Sequence, residues 1–328
     1  MSALCVWIAA AEKQPETFIV SFPKSGRTWL RLMVGYALNE QYQLHADQAD
    51  ILELDPLVRV AKRLRIDAFP VVAVDHAKKD LELVERALWT FPEQFVGARV
   101  VLLVRDPRDV FVSNWFEKKW RKMGLEKKEM DENGFTAATA GSKTADCSWI
   151  KVGNGLQLYL SKFAWQREPF CNQTTQSCSC FHPDYTIVDF MKEPNGGFDT
   201  ILEFSAFFWN NRQRMRDFLL VRYEDMHANP KAELRRVLEF LGVAKPSERA
   251  LDVAVAEASF DSMREKELTG TFGWRLTARN KNDTATFKTR EGKVGGYRDH
   301  FDVKLLQMME QQMVAIMPKE FGYREEDL

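Results

Sequence analysis

The chain has 328 residues, 45% of them hydrophobic and 12% aromatic, enough to bury a large core in one or two domains. Its 46 basic and 47 acidic residues leave a formal net charge of -1, which excludes a global basic field for nucleic acid or an anionic membrane. Any polyanion must therefore meet a local cluster of cations.

Leu4 to Ala11 is apolar but short, has no basic residue before it and leads into Glu12 and Lys13, which argues against a signal peptide. No apolar run approaches the roughly 18 residues of a membrane span, so a soluble cytoplasmic protein without a membrane partner is expected. Phe18 to Phe22 predicts a strand that runs through Pro23-Lys24-Ser25-Gly26 into a helix from Gly26 to Leu38. Backbone N–H groups at such a helix start, the positive end of the helix dipole and the mobile charge of Lys24 suit a phosphate or sulfate. The order of residues is not that of a Walker A loop, in which Lys and Ser/Thr follow the second glycine; here Lys24 and Ser25 precede the single Gly26.

Val71 to Asp75 predicts a second strand, followed by His76 and a helix from Lys78 to Phe91. Val100 to Arg105 predicts a third, and Pro107 suits the first turn of a helix reaching Lys119. From about Met123 to Phe198 the pattern weakens, and Asn133-Gly134, Gly141-Ser142, Gly153-Asn154-Gly155 and Asn195-Gly196-Gly197 read as loops. An irregular insertion over 123–198 inside a compact fold suits a lid or binding loop. Phe218 to Tyr223 predicts a last strand before a helix from Pro230 to Leu241. This alternation predicts an α/β fold: a single P-loop-like domain over 1–328, its central parallel sheet flanked by helices on both faces and its binding loops at the strands' carboxyl ends.

Five cysteines, Cys5, Cys147, Cys171, Cys178 and Cys180, lack zinc-knuckle spacing, since Cys178-Ser179-Cys180 has a one-residue gap and His182 is the nearby imidazole. Reduced thiols are expected, with a local disulfide as the alternative, and no metal site.

The order Pro-Lys-Ser-Gly-x-Thr-Trp over residues 23–29 resembles the phosphosulfate-binding loop of sulfotransferases that use 3'-phosphoadenosine 5'-phosphosulfate (PAPS). Four further segments are similar to that family in the same order. Arg105 to Ser113 has the spacing with which the family grips the donor's 3'-phosphate. Tyr223-Glu224-Asp225-Met226 with Glu239-Phe240-Leu241-Gly242 matches its Y-E-D-M and E-F-L-G segment, and Ser259-Phe260 with Met263 its S-F-x-x-M adenine element. Arg290-Glu291-Gly292 through Phe301 resembles its R-K-G-x-x-G-D-W-K-x-x-F loop, with Glu291, Gly296, Tyr297 and Arg298 as departures.

The resemblance implies transfer of a sulfuryl group from PAPS to a hydroxyl or amine of a small-molecule acceptor, leaving adenosine 3',5'-bisphosphate. It implies that Lys24 stabilises charge on the leaving phosphate and that Ser25, Gly26, Arg27 and Thr28 hold the 5'-phosphate. Arg27 departs from the threonine common in animal members. Trp29 and Phe260 would sandwich the adenine, with Ser259 and Met263 beside it and Tyr223 hydrogen-bonded to it. Arg105, Ser113, Arg290, Glu291 and Gly292 would enclose the 3'-phosphate. His76 is the expected general base, with Asp75 as its orienting partner, and the insertion is expected to shape the acceptor pocket. A carbohydrate or protein acceptor, a non-catalytic nucleotide-binding protein and an atypical P-loop kinase are the alternatives. Asp109, Glu224 and Asp225 read as structural, and Trp115, Trp120, Trp149, Trp165 and Trp209 as core. Residues Arg298 to Gln307 keep only the valine, Val303, of the family's K-x-x-x-T-V-x-x-x-E dimer motif, so a monomer or a dimer through another surface is expected.

Overall fold

A computed structural model of the chain describes residues 17–65, 72–75, 91–117, 170–172, 177–179, 186–191, 197–273, 276–278, 281–282, 284 and 287–324. Its strands are β1 (Thr17–Ser21), β2 (Val72–Asp75), β3 (Arg99–Val104), β4 (Phe170–Asn172), β5 (Ser177–Ser179) and β6 (Asp217–Arg222). Four of them form one parallel sheet in the order β2-β1-β3-β6, as the alternation of strand and helix patterns predicts. In the register Val20 pairs with both Asp75 and Leu102, and Leu103 pairs with Ser21 and Val221. The carboxyl ends therefore lie along one rim, and after β1, β3 and β6 the chain leaves that rim at Phe22, Arg105 and Tyr223.

Side chains alternate across each strand, and the two faces of the sheet feed separate cores. Ile19, Val101, Leu103 and Val221 point into one. Phe18, Val20, Val100, Leu102 and Val104 point into the other. Burial of each such side chain contributes about 1.5–3 kcal/mol, which is why the strands read as unbroken apolar runs.

The first core is covered by α1 (Arg27–Gln41), with α2 (Gln48–Ile51) and α3 (Asp55–Arg63) behind it. On the second lies α4 (Pro107–Phe116), in whose first turn Pro107 sits while the Asp106 carboxylate accepts the Arg108 N–H at 2.9 Å. Short α5 (Ile187–Met191) and aromatic-rich α6 (Phe198–Asn210) pack beside α4, with Phe111 stacked on Phe190 at 5.2 Å and Trp115 buried. After β6 come α7 (Tyr223–Ala228), α8 (Pro230–Phe240), α9 (Glu248–Glu257) and α10 (Phe260–Thr269), which extend the first core. Finally α11 (Val303–Ile316) closes the second. Asn229, Ser247, Ser259 and Asp302 cap α8, α9, α10 and α11 through side-chain oxygens.

Within the 123–198 insertion the described residues are β4 and β5, an antiparallel pair with Cys171 opposite Cys178, together with Thr186, α5 and, at Gly197 and Phe198, the start of α6. His76, Trp120, Trp149, Trp165 and all but Phe91 of the helix predicted from Lys78 to Phe91 lie outside the described residues, and Phe91 itself is not helical. Trp209 packs half-buried against Phe218 and Phe321.

Candidate donor site

The turn between β1 and α1 bends through two left-handed residues, Lys24 at φ 75° and Gly26 at φ 96°. Gly26 is required there twice over: a Cβ would be strained at that φ and would stand 2.5 Å from the Tyr223 ring. No side chain caps α1, and no acidic residue occupies its first turn. The positive end of the helix is thus left open to an anion. Ser25 is buried, its N–H donating to the Phe22 carbonyl at 3.3 Å. The Lys24 ammonium lies 3.1 Å from Glu117 Oε2, both side chains about one-sixth exposed.

Arg105, the first residue beyond β3, spans this turn and the C-terminal loop. Its guanidinium donates to the carbonyls of Lys24 at 3.3 Å and Lys293 at 3.0 Å and covers the Tyr223 ring at 4.3 Å. Asp109 lies one helical turn on, 3.6 Å from the same guanidinium. Asp109 also accepts the N–H groups of Gly295 at 2.8 Å and Tyr297 at 2.9 Å, which ties the loop to α4. Burial pushes its carboxyl above the ordinary aspartate range, against the pull of Arg105 and the two amides. Arg105 Nε is buried without a hydrogen-bond partner, an orphaned donor on a residue that lines the site.

Behind the rim, Glu224 accepts the Asp106 N–H at 2.9 Å and the Tyr323 hydroxyl at 2.6 Å. Burial raises its carboxyl above the usual glutamate range. Arg222 pairs with Asp225 at 3.8 Å. Asp109 and Glu224 thus tie segments of the framework together, while Asp225 makes a partly exposed ion pair.

The loop carrying Arg290 is held from α10. Glu267, with no exposed surface, accepts the N–H groups of Lys288 at 2.7 Å and Thr289 at 2.9 Å and the Thr289 hydroxyl at 2.6 Å. Arg264 donates to the Thr289 carbonyl at 2.9 Å. Arg290 lays its guanidinium on the Phe116 ring at 4.0 Å and pairs with Glu291. Burial holds Arg290 below the ordinary arginine range, the Glu291 carboxylate pulling the other way and the nearby Arg105 adding to the fall. Gly292, at φ 65°, passes under Phe260, whose ring would meet a Cβ at 2.5 Å. The Gly292 carbonyl accepts the Tyr223 hydroxyl at 3.3 Å and lies 3.2 Å from His227 Nε2. That carbonyl can only accept, so Nε2 carries a proton.

These pieces enclose one cavity of about 620 Å³, lined by Lys24, Gly26, Arg27, Thr28, Trp29, Arg105, Ser113, Tyr223, Phe260, Met263, Arg290, Glu291 and Gly292. The structure thus brings together residues from 24 to 292. Phe260 keeps 39% of its surface exposed, and Trp29 meets the Tyr223 ring edge-on at 5.5 Å. Ser25 and Ser259 stand outside the lining: Ser25 is packed beneath the turn, and the Ser259 hydroxyl caps α10 by accepting the Ser262 N–H at 3.4 Å.

Sequence reasoning did not single out four residues of the site: Glu117, His227, Glu267 and Lys293. A helical i+4 step from Ser113 points to Glu117, and one from Tyr223 to His227. Nothing local marks Glu267, whose partners lie more than 20 residues away. Among the described residues, no group of three or more His, Cys, Asp or Glu side chains is placed to hold a metal ion, and no helix is long and apolar enough to cross a membrane.

Comparison with known proteins places this geometry in context. The family model described as "Sulfotransferase domain" matches residues 14–319. The chain is 20% identical over 323 residues to a 3-beta-hydroxysteroid sulfotransferase of Cavia porcellus, covering 95% of this chain and 88% of that protein. Over a 97-residue stretch, 29% of this chain and 31% of the relative, it is 34% identical to human sulfotransferase 1C2. A crystal structure of mouse sulfotransferase SULT7A1 complexed with PAP aligns over 93% of this chain and 85% of that one, with 15% identity and a TM-score of 0.45. Because the family model spans the sheet, the helices on both its faces and all the residues lining the cavity, the chain belongs to the sulfotransferase family.

Proposed function

We propose that this sulfotransferase takes its sulfuryl group from PAPS in the cavity around Lys24 and passes it to a hydroxyl or amine of a small-molecule acceptor. The observation that carries the reading is the meeting of three cations from distant segments, Lys24, Arg105 and Arg290, with the exposed Phe260 ring at an uncapped helix start. The orphaned Arg105 Nε and the open α1 terminus fit a donor with two anionic ends. PAPS supplies an activated sulfuryl group and leaves as adenosine 3',5'-bisphosphate.

The chain's own residues divide the remaining work. Arg27, Thr28 and the first amides of α1 hold the 5'-phosphate, and Lys24 balances charge as it grows on the leaving oxygen. Arg105, Ser113, Arg290 and the Gly292 backbone hold the 3'-phosphate. Trp29 and Phe260 flank the adenine, and Tyr223 closes that pocket from below. His76, directly after β2, takes the acceptor's proton. Asp75, the residue before it in sequence, is paired in register with Val20, one residue before the end of β1. Steroid sulfotransferases among the relatives support an alcohol acceptor. One domain, with the 123–198 segment bordering the acceptor, and residence in the cytosol complete the reading.

The test joins donor and acceptor. Calorimetry is expected to show adenosine 3',5'-bisphosphate binding at least about 10-fold tighter than ATP, since a charge-assisted hydrogen bond lost with the 3'-phosphate contributes about 1.5–3 kcal/mol. Labelled PAPS offered with panels of alcohols, phenols and amines is expected to label a small molecule. Equal affinity for ATP, with label passing from ATP instead, would replace this reading by a kinase.

A further inference from the structure

Three cations of the donor cavity already have a carboxylate. Lys24 pairs with Glu117, Arg105 with Asp109 and Arg290 with Glu291. The three carboxylates are not held alike. Asp109 is fixed by the Gly295 and Tyr297 amides, so it stays where it is whether or not an anion arrives. Glu291 is more than one-third exposed, on a side chain long enough to turn away into solvent.

We propose that Glu117 and Glu291 are internal counter-ions of the donor site, occupying Lys24 and Arg290 until the donor's phosphates replace them. The inference rests on the donor reading above and adds two residues that set donor affinity. A phosphate within reach of Lys24 meets a carboxylate already 3.1 Å from the ammonium, and like charges at that range repel strongly in a half-buried site. The pair must therefore open. On the 5' side the lysine moves, being a compact charge on a flexible stem. On the 3' side the arginine is pinned on Phe116, so the carboxylate of Glu291 moves. Such pairs are too shielded to be ignored and too exposed to be permanent. Each carboxylate therefore weakens donor and product binding through the phosphate that its own cation serves.

Calorimetric titration of wild type, Glu117→Gln and Glu291→Gln with two nucleotides tests this. Adenosine 3',5'-bisphosphate carries both phosphates, and adenosine 5'-phosphate lacks the 3' one. Glu117→Gln is expected to tighten both nucleotides about 5- to 10-fold. Glu291→Gln is expected to tighten the bisphosphate by a similar factor and leave the 5'-phosphate within about 2-fold. Glu117→Ser and Glu291→Ser, which remove charge and bulk together, repeat the ranking if a glutamine variant fails to fold. Bisphosphate bound no more tightly than by wild type in folded variants of either position overturns the proposal, as does a Glu291 effect that is the same for both nucleotides. Arg105→Ala separates this from a failure of the donor site itself: bisphosphate affinity unchanged in that variant removes the site, whereas weakened binding there with no gain in the glutamine variants removes the counter-ions alone.

Discussion

Glu267 offers a quantitative test of how the donor loop is held. Its carboxylate, fully buried on α10, takes three hydrogen bonds from Lys288 and Thr289, the two residues before Arg290. In Glu267→Gln one acceptor oxygen becomes an N–H donor, so at least one of the three loop donors faces another donor, and the other two lose the help of the negative charge. A charge-assisted hydrogen bond contributes about 1.5–3 kcal/mol, and a buried donor left unpaired costs about 1–3 kcal/mol. One bond broken and two weakened come to about 3 kcal/mol. At about 2 °C per kcal/mol for a chain of this size, Tm should fall by about 6 °C. Because the same bonds fix the backbone that delivers Arg290 and Gly292, affinity for adenosine 3',5'-bisphosphate should fall about 10-fold as well, the equivalent of about 1.4 kcal/mol. Scanning calorimetry and isothermal titration on one preparation measure both. A Glu267→Gln protein that melts within about 1 °C of wild type and binds the nucleotide equally well would refute the reasoning, since it would show that the loop is held by something other than this carboxylate.

Gly26→Ala must place a Cβ at φ 96° and 2.5 Å from the Tyr223 ring, so nucleotide affinity measured by calorimetry is expected to fall at least about 10-fold, with the fold retained. His76→Ala is expected to lower kcat by about 10²-fold or more while nucleotide affinity is nearly unchanged; near-normal turnover of an alcohol would place the base elsewhere. Burial, and then the charge of Arg290, holds His300 below the ordinary histidine value of 6.5. A 3'-phosphate beside Arg290 offsets that repulsion and raises the value, so nucleotide binding just below the ordinary histidine pKa should take up part of a proton. The buffer dependence of the binding heat measures this uptake, and its persistence unchanged in His300→Gln would exclude His300 as the source. Val303 is 71% exposed at the start of α11, whose N–H of Leu305 is capped by Asp302 at 2.8 Å. Val303→Glu should leave the mass in light scattering unchanged, and conversion of a dimer to monomer would show that the C-terminal motif works after all.

Strand, turn and helix are contiguous in sequence, and a contiguous feature is legible there. The apolar runs at Phe18, Val100 and Phe218 and the helical patterns after them state a parallel sheet with two covered faces before any coordinate is known. The caps at Asp106, Asn229 and Ser259 are equally local, each bonding within three residues. Lys24 was legible as a cation for an anion from its place between strand and helix, and Arg105 and Arg290 through the family motifs that they resemble.

The distant contacts of those cations were decided only by the tertiary structure. Glu117 reaches Lys24 across 93 positions, and Asp109 reaches Gly295 and Tyr297 across 186 and 188. Arg105 and Arg290 find their carboxylates close by in sequence, at Asp109 one helical turn on and at the adjacent Glu291. Only the fold brings Glu117 to Lys24 and the Lys24 and Lys293 carbonyls to Arg105. The close approaches at Gly26 and Gly292, where an aromatic ring fills the space of a Cβ, likewise exist only once α7 and α10 have been brought to the rim. The physical reason is one of range: periodicity and capping are set by backbone bonds a few residues long, while charge pairing and close packing act between whichever atoms the folded chain makes neighbours.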